Sequence, residues 1–211
     1  MTRTVVHLLR HGEVENPSGV LYGRLPGYHL SDRGREMAEA VARHLAARDV
    51  THLVSSPLER AQETASPLAT ALNLTPVIDQ RLIEADNYFQ GGRFGIGANG
   101  VLRDPVNWWR LRNPMRPSWG EPYTDIAQRT LDATADARVS ARGHQAVCVT
   151  HQLPIWVTRR ALSNQRLWHD PRKRQCGLAS LTTLTYDDDR LVSIGYAEPA
   201  GATPPDTTPG A

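Results

Sequence analysis

Lysine is almost absent from this chain: of 24 basic residues only Lys173 is a lysine, and the rest are arginines. Cysteine is equally scarce, with Cys148 and Cys176 alone and in no C-x-x-C or other ligand spacing. Two such residues exclude a disulfide framework and a thiolate metal cage, and both are expected to be reduced. No run approaches the roughly 20 apolar residues that span a bilayer. The opening MTRTVVHLLRHGE has no signal-peptide hydrophobic core. A soluble, cytoplasmic protein with no membrane partner is the expectation. Excess charge is also missing, since 22 acidic residues leave a net charge of +2. That balance gives no broad basic face, so a nucleic-acid partner is not expected despite a pI near 8.7.

What the chain does have is 40% hydrophobic and 22% charged residues, enough to build a core and too apolar for disorder. Coding bias in a GC-rich genome explains the arginine total. Only the placement of individual arginines, whose planar forks match phosphate and carboxylate, carries information about function.

Apolar periodicity alternates between short runs and helical stripes. Val5 to Leu9 reads as a buried strand ending at Arg10-His11-Gly12, followed by a Gly- and Pro-containing loop. Ser31 is an N-cap for an amphipathic helix bearing Met37, Ala40, Val41 and Leu45, closed by Asp49. His52 to Val54 is a second strand, and Pro57 is expected in the first turn of a helix carrying Leu58, Ala61, Thr64, Ala65 and Leu68. A brief extended run surrounds Val77 and Ile78. A helix from Tyr123 to Ala141 precedes a strand at Ala146 to Val149, and another helix is expected beyond Pro154. Leu178 to Tyr186 and Leu191 to Tyr196 read as a β-hairpin. Strands alternating with helices predict an α/β fold, a three-layer α/β/α sandwich with a mostly parallel central sheet and a C-terminal hairpin. The expected organisation is one domain over 1–198, with a lid or insert at about 85–122 and a disordered tail at 199–211.

In open α/β sheets ligands bind outside the carboxyl ends of the strands. Three of the strand ends here carry Arg10-His11, Ser55-Ser56 and Thr150-His151. His7 and His11 form an H-x-x-x-H pair, but that spacing brings ligands together on a helix, and here it falls on a strand. No metal site is expected. Arg60 lies in the first turns of a helix, where an anion is favoured, and Glu84 follows the third extended run.

With those residues in order, the chain closely resembles the histidine phosphatase superfamily, with its phosphoglycerate-mutase-like fold, from Val5 to about Tyr196. The resemblance implies that His11 is the nucleophile that becomes phosphorylated at nitrogen. It implies that Arg10, Arg60 and His151 bind the phosphoryl oxygens, and that Glu84 protonates the leaving oxygen, with Asp86 as a nearby substitute. Asn16 and Ser55 are further candidate phosphate contacts. Gly120-Glu121, followed by Arg129, resembles the family's G-E segment, although Glu121 also reads as a helix N-terminal charge. The chain departs from the pattern at Gln152-Leu153-Pro154, where glycines are usual, and at Glu84-Ala85-Asp86-Asn87, where a glycine, tryptophan, glycine pattern is usual.

Between the motifs lies a segment with Arg93, Arg103, Arg110, Arg112 and Arg116 beside Trp108, Trp109 and Trp119. It reads either as a lid whose arginines, Arg110, Arg112 and Arg116 among them, meet a second anionic group, or as an accessory hairpin or dimer contact. The expected activity is a metal-independent, cofactor-free phosphatase acting on a small phosphomonoester, as a monomer or homodimer. The alternatives are a cofactor-dependent phosphoglycerate-type mutase and a non-catalytic binding protein on the same fold.

Overall fold

A central strand covered on both faces needs a near-continuous apolar run, and VVHLL meets that need in β1 (Arg3–Arg10). The computed structural model describes residues 1–93 and 120–201. β1 lies inside a six-stranded sheet of order β3-β2-β4-β1-β5-β6, with β2 at Val50–Ser55, β3 at Val77–Ile78, β4 at Gln145–Thr150, β5 at Leu181–Asp187 and β6 at Arg190–Ala197. β1, β4, β2 and β3 run parallel, in registers that bring Arg10 opposite Thr150 and Ser55 opposite Val149. The β5–β6 hairpin pairs antiparallel with β1 through β5. This is the mixed sheet with a C-terminal hairpin that the sequence predicts.

Four helices complete the layers among the described residues: α1 (Asp32–Leu45), α2 (Glu59–Leu72), α3 (Tyr123–Ser140) and α4 (Gln152–Leu162). Met37, Val41 and Leu45 of α1 and Ala61, Ala65 and Leu68 of α2 pack on one sheet face with Leu9, Leu53, Val147, Val149 and Leu181. Ala133 and Ala137 of α3 and Ile155 of α4 meet the other face, at Val6, Leu8, Val54, Ala146, Cys148 and Leu184. Adjacent strand residues thus face opposite layers, as the pleat requires.

The element ends differ from expectation in instructive ways. Ser31 does cap α1, its Oγ accepting the Gly34 N–H at 3.0 Å. Pro57, however, precedes α2 instead of lying in its first turn, because Leu58 is the extended N-cap residue whose carbonyl accepts from Ala61 and Gln62. The last helix begins before Pro154, which sits in its first turn, where a missing N–H has no intrahelical partner to lose. β5 starts at Leu181 instead of Leu178 because Gly177–Ser180 form a turn, with Ala179 at φ +53° and its N–H bonded to the His11 carbonyl. Ala200, in the expected tail, packs against the α1–α2 core. The rest of that tail, 202–211, and Arg103, Trp108, Trp109, Arg110, Arg112, Arg116 and Trp119 lie outside the described residues. Among the described residues no helix is long and apolar enough to cross a membrane.

Candidate active site

The parallel strands deliver their C-terminal residues to one edge. Arg10 is the last residue of β1 and His11 the next; Thr150 ends β4 and His151 follows. The His11 N–H bonds to the Thr150 carbonyl at 3.1 Å, and the Ser56 N–H bonds to the Val149 carbonyl at 2.9 Å, so the edge is stitched just where the side chains leave it. The two imidazoles stand with ring centroids 5.1 Å apart. Both are fully buried, as are Arg10 and Arg60.

His11 is held in one tautomer. Its Nδ1–H donates to the Gly12 carbonyl at 2.8 Å, which leaves Nε2 as a buried lone pair with no hydrogen-bond partner among the described residues. Burial holds its pKa well below 6.5, helped by the Arg60 and Arg10 charges. The ring is therefore neutral at pH 7.

Loop and helix are keyed together beneath this histidine. The Gly12 N–H donates to Thr64 Oγ in α2 at 3.1 Å, and the Ser31 N–H and hydroxyl reach the Glu13 carbonyl and carboxylate at 3.0 and 2.9 Å. Close contact at Gly12 and Gly34 leaves no room for side chains: a Cβ on Gly12 would lie 2.5 Å from the Gly34 carbonyl oxygen, and one on Gly34 would lie 2.0 Å from that of Glu13.

Arg60 enters from the first turn of α2. One Nη donates to the Gly23 carbonyl at 2.6 Å and its guanidinium lies 4.7 Å from the Tyr22 ring centroid, while Nε and the other Nη are buried with no hydrogen-bond partner among the described residues. A buried cation with two unmet donors calls for an anion. Arg10 donates through Nη1 to the Cys176 carbonyl at 2.7 Å.

His151 is oriented by Ser56, which the sequence places at a strand end without assigning it a role. Ser56 Oγ lies 2.8 Å from His151 Nε2 and also accepts the Leu58 N–H at 3.4 Å, while His151 Nδ1 is buried with no hydrogen-bond partner among the described residues. Burial, then Arg60 and His11, push its pKa well below 6.5. The adjacent Ser55 instead turns its hydroxyl to the Ser56 carbonyl at 3.0 Å. Asn16 is engaged with Val20, donating to its carbonyl at 2.9 Å and accepting its N–H at 3.1 Å.

Glu84 is buried, whereas Asp86 is exposed. Burial raises the Glu84 pKa, opposed by the Ala85 N–H, which donates to Oε1 at 2.7 Å, and by the charges of Arg60, Arg174 and Arg10. Arg174 is a second member missing from the sequence reading. It reaches Gln152 Oε1 and His169 Nε2, each at 2.9 Å, with Gln152 standing where the family pattern has glycine. Arg174 has no motif of its own, since it meets Gln152 only when segments 22 residues apart come together. Among the described residues no group of three or more His, Cys, Asp or Glu side chains is placed to hold a metal ion.

A neutral imidazole with one unpartnered nitrogen, set among buried guanidiniums at the carboxyl edge of an α/β sheet, is an arrangement that can hold an anionic group beside a nucleophile. The family model of the histidine phosphatase superfamily (branch 1) matches residues 6–198, and the chain belongs to that superfamily. It is 57% identical over 197 residues to the uncharacterized protein Rv0525 of Mycobacterium tuberculosis, covering 93% of this chain and 97% of that one. It is 27% identical over 200 residues to a 2,3-bisphosphoglycerate-dependent phosphoglycerate mutase of Thermoplasma acidophilum, covering 89% and 90%. Among solved structures it is similar to a mycobacterial glucosyl-3-phosphoglycerate phosphatase complexed with inorganic phosphate, with a TM-score of 0.71, 26% identity and coverage of 96% and 100%.

Proposed function

We propose that the chain is a metal-independent phosphomonoesterase that hydrolyses a small phosphorylated molecule in the cytoplasm through a phosphohistidine on His11. The observation that carries this reading is the His11 ring itself: Nδ1 is fixed to Gly12, and Nε2 is neutral, buried and, among the described residues, unpartnered, with the Arg10 and Arg60 charges beside it.

In the first step Nε2 attacks phosphorus, the P–N bond forms, the P–O bond to the leaving group breaks, and the leaving oxygen takes the proton held by Glu84. In the second, water attacks phosphorus, gives its proton to the Glu84 carboxylate, and the P–N bond breaks to release phosphate. Covalent catalysis of this kind divides one hard displacement into two easier ones. Phosphoryl transfer depends mainly on positioning and on stabilising charge over the equatorial oxygens. The forks of Arg10 and Arg60 and the His151 ring supply that stabilisation, preorganised and out of water. The raised pKa of Glu84 suits a group that must carry a proton into the reaction.

The test is His11→Ala, assayed on an aryl phosphate in the presence of a chelator, together with trapping of an acid-labile phosphoenzyme from the wild type. Loss of hydrolysis and of the trapped species is expected; undiminished turnover in the variant sinks the mechanism. Conversion of 3-phosphoglycerate to 2-phosphoglycerate with 2,3-bisphosphoglycerate, faster than hydrolysis, would replace the phosphatase reading by the mutase one.

A further inference from the structure

The peptide that bears Glu84 is gripped by a three-residue clasp. Arg24 donates through Nε to the Glu84 carbonyl oxygen at 2.7 Å and through Nη2 to Glu121 Oε2 at 2.8 Å. Arg129, from α3, donates to the same Glu121 carboxylate through Nε at 2.7 Å and Nη2 at 3.0 Å. Its Nη1 holds the Arg81 and Ile83 carbonyls, and its Nη2 reaches the Glu84 carbonyl at 3.4 Å. The backbone beside Glu121 joins the same loop: Gly120 bridges Asn87, and the Glu121 N–H donates to the Asp86 carbonyl at 3.2 Å. Only glycine permits this approach, because a Cβ at 120 would sit 2.4 Å from the Asp86 oxygen.

The connection to the acid runs through a single peptide plane. The carbonyl oxygen of the 84–85 peptide is held by two cations, and the N–H of that same rigid plane grips Glu84 Oε1. Rotating the plane swings the carboxyl group with it. Since Oε1 accepts the peptide N–H, Oε2 is left to carry the proton.

We infer that Arg24, Glu121 and Arg129 are positioning residues for the Glu84 acid, setting the peptide plane that aims its protonated oxygen at the leaving group. This rests on the proposed role of Glu84. The clasp joins the Gly23–Arg24 loop, the start of α3 and the acid's own loop, so three segments distant in sequence share one alignment.

The experiment compares an activated aryl ester, 4-nitrophenyl phosphate, with an unactivated alkyl ester, 2-phosphoglycerol. A good leaving group needs little protonation, so losing the acid's aim harms alkyl hydrolysis selectively, whereas general loosening of the fold harms both substrates alike. Glu84→Gln is the reference and should lose far more on the alkyl ester. Glu121→Gln and Arg24→Gln should each show the same selectivity, on the order of tenfold, given how steeply rate falls with misplacement. Adding Glu121→Gln to Glu84→Gln should produce no further selective loss, as for two residues acting through one atom. Melting curves identify folded variants, and Arg24→Gln supplies the comparison if Glu121→Gln does not fold. Equal losses on both esters in a folded clasp variant, or additive selectivity in the double variant, overturn the inference. A Glu84→Gln variant without selectivity overturns the acid role itself, which separates the two failures.

Discussion

Ser56 Oγ and His151 Nε2 meet 2.8 Å apart, and among the described residues this is the one hydrogen bond that either nitrogen of the second imidazole makes. A serine just past the end of β2 thereby orients His151 at the centre of the site. Ser56→Ala removes that bond. Turnover of an aryl phosphate should fall roughly tenfold, the equivalent of one lost buried hydrogen bond. Ser55→Ala should have the smaller effect, because its hydroxyl serves the neighbouring carbonyl. Steady-state kinetics on the two variants check the order, and a reversed order would move the orienting role to Ser55.

Activity on an alkyl phosphate should follow a bell-shaped pH profile once the substrate's own ionisation is removed. His11 must be neutral, so the acid limb lies well below 6.5, where burial and the Arg60 and Arg10 charges place it. Glu84 must be protonated, so the alkaline limb lies above 4.5, where burial places it. The Arg174 charge opposes that rise, so Arg174→Gln should move the alkaline limb to higher pH. An unmoved limb would show that Arg174 does not act on this carboxyl.

His169 links the site to stability in acid. Its Nδ1–H donates to the Leu167 carbonyl at 2.7 Å and its Nε2 accepts from Arg174, so protonation pits it directly against a guanidinium. Burial lowers its pKa from 6.5 to about 4. The sign is that of a depressed histidine: the unfolded chain binds the proton first. Stability is therefore fully present above 6.5 and declines as pH falls toward 4, by at most roughly 3 kcal/mol from this group. Chemical denaturation at pH 7 and pH 4.5 should show a smaller loss in His169→Gln than in the wild type.

Gly34 gives a prediction with a sign opposite to helix propensity. In a helix interior alanine is favoured over glycine by about 1 kcal/mol. Here the added methyl would be driven into the Glu13 carbonyl oxygen. Gly34→Ala should therefore destabilise by about 1–3 kcal/mol, the usual cost of overpacking, and slow turnover by shifting the loop that carries His11. A raised melting temperature would show that the loop yields at no cost.

The motifs were legible where local pattern and chemistry coincide. Arg10-His11, Ser55-Ser56 and Thr150-His151 each follow a short apolar run, and parallel strands carry such ends to one edge. Arg60 and Glu84 were legible through the superfamily resemblance. Burial now separates Glu84 from the exposed Asp86, which sequence alone left open. Glu121 reads in sequence as a charge near a helix start, yet its carboxylate is spent on Arg24 and Arg129. Nothing near Glu121 announces Arg24, because that pairing arises only when the loop after β1 closes against α3. Arg174 was missed for the same reason. Helix starts at Pro57 and Pro154 were misplaced because proline signals a first turn without saying which side of it the cap falls.

The strand that leads into His11 is made first and finds its sheet neighbours only late in the chain. β1 lies between β4 and β5, both supplied by the final third of the chain, and it has no sheet neighbour before them. A growing polypeptide that has reached the end of α3 contains neither sheet neighbour of β1, so Arg10 and the adjacent His11 await both. Long-range pairing of this kind is slow to form and exposes a strand edge until it does. The proposed site is thereby unformed in a chain that stops before β4, since His11 meets His151 only where β1 and β4 pair.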